Sequence, residues 1–381
     1  MVSYSGYWYA SSTADAQQTN SNNWLLRLVL MLLFTLLGLV ITVLVIGHAL
    51  PQGVQIAYES TTLTTPPQRH IYLMDVMRAL PARLSANNDN ILSMNWSPDG
   101  SQLVFVAARS NAPARLYVMD VNQRLRTPLP DNILPISNTI NWSPDGHAVA
   151  FMASSNGRSR IGIFDVEDDK LQVMDISNGG LYSVPDWAPN SEALVYLAYQ
   201  SFSSNPGRPM LWTVPIGCVE TQTCNKSSIR LLSPFNMYGY SWSPDGTTLI
   251  FNGVTPTEAG IYTAKLTCAD ITEGCLSTPE PLWSTSAHTR PVMSPDGKLV
   301  ALRDDHNVIT VIDVESRDAR QVVTQSDIKD DVVWGTDGTE IIYEAHNRVT
   351  ADVFAVNVEN GTERRLTHST NEDRRPKVRP S

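Results

Sequence analysis

The residues of this chain that could do chemistry are, first, its repeated carboxylates. Asp99, Asp145, Asp245 and Asp296 each stand third in an intact Ser-Pro-Asp-Gly run. Asn190 and Asp337 hold the same place in the worn copies Ala188-Pro189-Asn190-Ser191 and Gly335-Thr336-Asp337-Gly338. Such groups could serve as acids, bases or metal ligands, but a reactive group is rarely copied at every period of a repeat. The neighbours supply another reason for them. Proline presets φ for the first central position of a tight turn, aspartate bonds its own following backbone, and glycine takes the φ > 0 position. The runs are therefore expected to be hairpin turns.

Four cysteines form two close pairs, Cys218 with Cys224 and Cys268 with Cys275. That spacing suits local disulfides in an oxidising compartment. Four thiolates could also bind zinc, but the gaps are not those of zinc knuckles. The histidines at 48, 70, 147, 288, 306, 346 and 368 show no metal-ligand spacing. Two acidic clusters, Glu167-Asp168-Asp169 and Asp304-Asp305-His306, fall where solvated hairpin tips are expected. There is no Walker loop, dinucleotide fingerprint, EF-hand loop or haem-attachment pair. Neither a catalytic residue nor a cofactor is expected.

The elements around these residues are strands. Apolar residues Ile91, Leu92, Met94 and Trp96 precede the first turn, and the alternating Leu103, Phe105 and Ala107 follow it. Trp96, Trp142, Trp187, Trp242, Met293 and Trp334 recur roughly 41 to 55 residues apart, the period of a propeller blade, and each tryptophan is expected to wedge between neighbours. The segment 54–86 has strands two to four of a blade and no inner strand. Residues 376–380 supply one, with Val378 where a tryptophan would fall. The carboxyl terminus thus closes a ring of seven blades, six if that last copy is not a strand. The fold class expected is all-β.

These motifs resemble the repeats of TolB-type β-propellers over about 54–381. The resemblance implies the architecture and a protein-binding habit. TolB itself carries a small α/β domain before its propeller, where this chain has an apolar segment, so its partner contacts do not transfer. Similar repeats occur in the prolyl oligopeptidase family, which adds a hydrolase domain with a Gly-x-Ser-x-Gly elbow. The nearest run here, Gly239-Tyr240-Ser241-Trp242-Ser243, leads into a blade turn and lacks the final glycine.

Leu28 to Gly47 carry no charge, enough to cross a hydrocarbon core of about 30 Å as a helix. The apolar run is too long for a cleaved signal peptide, although Gly47-His48-Ala49 offers a small-x-small pattern. Three parts are expected: a polar cytoplasmic tail at 1–23, a transmembrane helix at 24–50 and the propeller at 51–381. Arg27 and the free amino terminus orient the anchor with its amino terminus inside. Charged residues make up 17% of the chain, against about a quarter on average, and the net charge of −10 speaks against nucleic acid.

The function expected is non-enzymatic: a membrane-anchored extracytoplasmic scaffold, or accessory subunit, that docks another membrane or envelope protein. The alternative is a propeller that binds a small molecule or metal in its central channel, possibly for hydrolysis. Asn95, Asn141, Asp186 and Ser241 would then line a polar channel. Both cysteine hairpins fall between third and fourth strands, hence on the Ser-Pro-Asp-Gly face. The short link after Gly47 spans roughly 20 Å at most, which places that face toward the bilayer. Glu220, Thr221, Asp270 and Thr272 are the candidate docking residues.

Overall fold

The computed structural model describes residues 28–33, 35 and 53–380, apart from 78–80, 110–111, 129–133, 156–157, 175–179, 182, 184, 200–208, 219–223, 233–234, 269–270, 287–288, 305, 307, 324–331 and 347–349. The chain divides into two units, Met1–Gln52 and Gly53–Ser381. In the first, residues 28–33 and 35 are helical and Leu28–Leu33 are exposed. Among the described residues no helix is long and apolar enough to cross a membrane. Most of the expected span lies outside them.

The second unit is a seven-bladed, all-β propeller of antiparallel sheets. Blade 1 pairs Glu372–Val378 from the carboxyl end with Gln55–Thr61, Arg69–Asp75 and Ala82–Arg83. Blades 2 to 7 follow in chain order, with inner strands Asn90–Trp96, Leu134–Trp142, Asp186–Trp187, Asn236–Trp242, Val292–Met293 and Val333–Trp334. Blade 4 splits its inner strand, since Gly180–Leu181 and Asp186–Trp187 both pair with Ala193–Tyr199.

Each second strand is apolar on both faces because a blade is covered by a neighbour on either side, and the buried runs in Gln102–Arg109 and Ala193–Tyr199 show it. The core is accordingly divided into seven apolar clusters, one at each junction between blades. Within blades 1, 2, 5 and 7 the second and third strands carry a stacked aromatic pair, such as Phe105–Tyr117 at 5.3 Å and Tyr343–Phe354 at 5.7 Å.

Ring closure has its own polar lock. Glu372–Val378 runs antiparallel to Gln55–Thr61, with Ile56 opposite Val378 and Thr61 opposite Glu372. A bulge breaks the register between them, and Arg375 there adopts φ 50°. Two buried carboxylates hold this bulge from either side. Glu344 of blade 7 accepts the Arg375 N–H at 3.1 Å, and Glu59 of blade 1 faces Arg375 Nη1 at 3.5 Å and Arg69 Nη1 at 3.3 Å. Counting from the inner-strand pairing, blades 2 and 4 have Val106 and Leu197 at the same position. Burial pushes the Glu59 carboxyl up, and Arg375 and Arg69 oppose that shift.

Candidate functional site on the turn face

The four intact Ser-Pro-Asp-Gly runs are turns of one geometry. The serine hydroxyl donates to the aspartate at 2.5–2.6 Å, the glycine N–H bonds the serine carbonyl at 2.9 Å, and the glycines take φ of 66° to 80°. Each aspartate also accepts a backbone N–H two residues on. Serine hydroxyl bonds come first among the causes that hold the Asp99, Asp245 and Asp296 carboxyls below the usual range. These carboxylates are turn-formers that face solvent at the blade edge.

Of the polar residues preceding the tryptophans, Asn95, Asn141 and Asp186 converge at the mouth of the central channel, which the buried Ser241 does not line. Asn95 Nδ2 donates to Ile140 O at 2.9 Å, Asn141 Nδ2 to Pro185 O at 3.0 Å, and Ser241 Oγ to Pro291 O at 2.8 Å. Each side chain therefore reaches the backbone of the next blade, so these groups fasten the ring. Asp186 has no proton to donate in its ionised form, and the matching Tyr240 carbonyl accepts instead from Arg290 Nε at 3.1 Å. Arg290 Nη2 lies 3.8 Å from Asp186 Oδ2. Burial raises the Asp186 carboxyl and Arg290 opposes it. With Lys377, these groups leave a mixed-charge mouth of about 350 Å³.

Both cysteine pairs are joined, with Cα–Cα distances of 4.8 Å and 5.8 Å. Cys218–Cys224 closes the hairpin between Met210–Pro215 and Ile229–Arg230 of blade 4, and both residues are buried at the junction with blade 3. Cys268–Cys275 closes the corresponding hairpin of blade 5 over a 3₁₀ turn, Ile271–Glu273. Ile271 is buried between blades 4 and 5, so the second hairpin leans back toward the first. Thr272 is half-buried on that turn, whereas Glu220, Thr221 and Asp270 lie outside the described residues.

Among the described residues, the group compact enough to hold a metal ion is Cys268, Glu273 and Cys275. Both cysteines are in the disulfide, so this group offers an ion no thiolate. The acidic clusters divide. Glu167, Asp168 and Asp169 form an exposed tip, as expected. Asp304 is buried instead of solvated: it accepts the His306 and Val308 N–H groups and the Thr310 hydroxyl, and so holds its turn closed from within.

Sequence reasoning missed Arg290, Glu59 and Glu344. A signal existed for the glutamates, because each interrupts an otherwise apolar second strand. Arg290 carried none, since nothing local relates it to Asp186 a hundred residues earlier.

The architecture defines a class, the seven-bladed β-propeller. A family model described as TolB beta propeller domain (PD40) matches residues 50–228, and the fold is TolB-like. No curated protein matches the sequence. Among solved structures, TolB from Acinetobacter baumannii superimposes with a TM-score of 0.53 at 17% identity, covering 86% of this chain and 67% of that one. An oligogalacturonate lyase in complex with manganese gives 0.54 at 16%, covering 83% and 86%. The tricorn protease gives 0.56 at 12%, covering 81% of this chain and 33% of the protease. At such identities the likeness is one of fold.

Proposed function

We propose that this protein is a non-enzymatic scaffold, held to a membrane by the segment 28–47, with its propeller on the extracytoplasmic side. Its turn face docks another membrane or envelope protein. The observation that carries the reading is the pair of disulfide-braced hairpins standing side by side on blades 4 and 5. A brace on a short loop adds little to global stability but fixes a loop's shape, which is what a recognition surface requires. Two disulfides also fit an oxidising compartment. The channel groups fit the same reading, since Asn95, Asn141 and Ser241 spend their donors on neighbouring blades.

The test is site-specific photocrosslinking in native membranes. Probes at Thr272 and Glu273 should trap a partner, and a probe at Leu63, exposed on the opposite face, should not. The reverse pattern refutes the docking face. A second reading, ligand binding in the channel, draws on the mixed-charge mouth of Asp186, Arg290 and Lys377. Saturable calorimetric binding of a divalent ion that Asp186→Asn removes would favour it.

A further inference from the structure

One junction of the ring is fastened against the rule that its neighbours keep. In blades 2, 3 and 5 the residue before the tryptophan is neutral and donates to a carbonyl of the next blade by itself: Asn95 to Ile140 O, Asn141 to Pro185 O and Ser241 to Pro291 O. Blade 4 has Asp186 in that place, and the donor for Tyr240 O comes instead from Arg290 of blade 6. Blade 5 is built to admit it. A Cβ at Gly239 would stand 2.8 Å from Arg290 Cα and 3.1 Å from Thr289 O, so a glycine lets the segment before Val292 lie against the blade 5 inner strand. An asparagine at 186 would make the same bond and bring no charge into the channel. A part-exposed ion pair adds little to stability, and Asp186 and Arg290 stand 3.8 Å apart. A repeat that gives up its own rule without a gain in stability marks a site kept for another purpose.

The Arg290 side chain is 48% exposed. Its Nε is held by Tyr240 O at 3.1 Å, while among the described residues neither Nη atom makes a hydrogen bond, the Asp186 carboxylate being out of range at 3.8 Å. The guanidinium is thus fixed at one end and presents its other donors to the mouth that it lines. Lys377 of blade 1 brings a second positive charge to the same mouth, and both cations oppose the burial that raises the Asp186 carboxyl. Between the two, going round the ring, come Val292 of blade 6 and Val332 and Val333 of blade 7. The mouth is therefore an apolar wall flanked by two cations, with one carboxylate across from it. On a chain of net charge −10, the described charged residues of this mouth leave one positive charge in excess. A divalent cation entering here would meet one carboxylate and two like charges, and an anion would meet the reverse.

We propose that this mouth binds a carboxylate carried on a small apolar body, in a free acid or at the end of a peptide chain. The inference rests on the second reading above, ligand binding in the channel, and gives it a ligand class other than a metal ion. The carboxylate oxygens accept from the Arg290 Nη atoms, a charge-assisted contact that suits the planar guanidinium, and Lys377 adds its charge from the other side. The apolar body lies on Val292, Val332 and Val333. The volume of about 350 Å³ stands at the lower end of the usual range of ligand pockets, about 300–1,000 Å³, which fits a small acid. Asp186 sets the charge: it offsets one of the two cations, so a single carboxylate brings the mouth to neutrality and a second would be repelled.

The experiment titrates the full chain in detergent with sodium 3-methylbutanoate, followed by calorimetry and by NMR. Saturable one-to-one binding is expected, and 3-methylbutanamide, of the same shape without the charge, should bind at least roughly tenfold more weakly. Arg290→Gln keeps a donor for Tyr240 O and should weaken binding of the acid at least roughly tenfold. Lys377→Met should weaken it roughly threefold or more and serves as a second variant should the first fold poorly. Asp186→Asn should strengthen it roughly threefold or more by removing the opposing charge, the reverse of what a metal site requires. A tripeptide ending in a free valine that displaces the acid assigns the carboxylate to a chain end, and one that does not assigns it to a free acid; either supports the site. No saturable binding, binding unchanged in both the Arg290 and Lys377 variants, or displacement by inorganic phosphate at equal concentration overturns the proposal. Calcium binding that Asp186→Asn abolishes, without binding of the acid, overturns it and leaves the channel reading standing. Binding of neither refutes both.

Discussion

Cutting the chain after Thr367 removes one short strand and should cost the protein most of its stability. The deleted Glu372–Val378 forms five register pairs with Gln55–Thr61. At about 1 kcal/mol net per hydrogen bond, the ladder alone contributes roughly 5 kcal/mol. The cut also takes the Lys377 carbonyl from Trp96 Nε1, the two bonds of Arg379 to Gly100 O and Gln55 Oε1, and the Arg375 N–H from buried Glu344. Each of these adds about 1 kcal/mol or more. The sum approaches the 5–15 kcal/mol that separates a typical folded domain from its unfolded chain. The blade 1 edge, Gln55–Thr61, would also be bared and prone to pair between molecules. Thermal unfolding by circular dichroism with sedimentation velocity reads both effects. A truncated protein that stays monomeric and melts within a degree or two of the full chain would refute the closure argument.

Replacing Cys218 and Cys224 together by alanine should cost more than replacing Cys268 and Cys275. Loops this short contribute about 2 kcal/mol in either case, but the first pair is also buried in an apolar cluster; chemical denaturation of the two variants decides, and thiol titration of the wild type should find no free thiol. Asp186→Asn should change stability by no more than about 1 kcal/mol, since an amide there can donate to Tyr240 O as Asn95 and Asn141 do to their neighbours; a large loss of melting temperature would show that the Arg290 pairing is required. Ser97→Ala should destabilise at neutral pH, and the gap should narrow in acid. The Asp99 carboxyl is held below its ordinary value first by Ser97 and then by Ser101. Its contribution is therefore full above the unfolded carboxyl range, near pH 4, and is lost as pH falls through the lower folded value; melting curves of both proteins between pH 7 and pH 2.5 test the sign. If residues 28–47 anchor the chain, alkaline carbonate should leave it in the membrane pellet, and protease added to intact spheroplasts should digest the propeller.

The sequence by itself determined the turns, the blade period, the closing strand and the disulfide partners. Each of these is a short-range matter. Ser-Pro-Asp-Gly makes its turn from bonds within six residues, the cysteines pair at separations of 6 and 7, and a strand announces itself by local alternation. Even the closing strand was legible, because a blade that lacks an inner strand at one end of the chain requires one from the other. What only the tertiary structure decided is what each repeat position does once its neighbour is in place. Asn95, Asn141 and Asp186 look equivalent in the sequence, yet two fasten the next blade and the third meets an arginine from two blades on. Met293 and Val378 both replace a tryptophan, and each packs into an apolar cluster shared by two sheets, but with different neighbours. Glu280 and Arg364 stand at one outer-strand register in different blades, yet one pairs with Arg317 and the other donates to Val76 O of the next sheet. Packing between blades joins residues tens to hundreds of positions apart, and local pattern does not encode that distance.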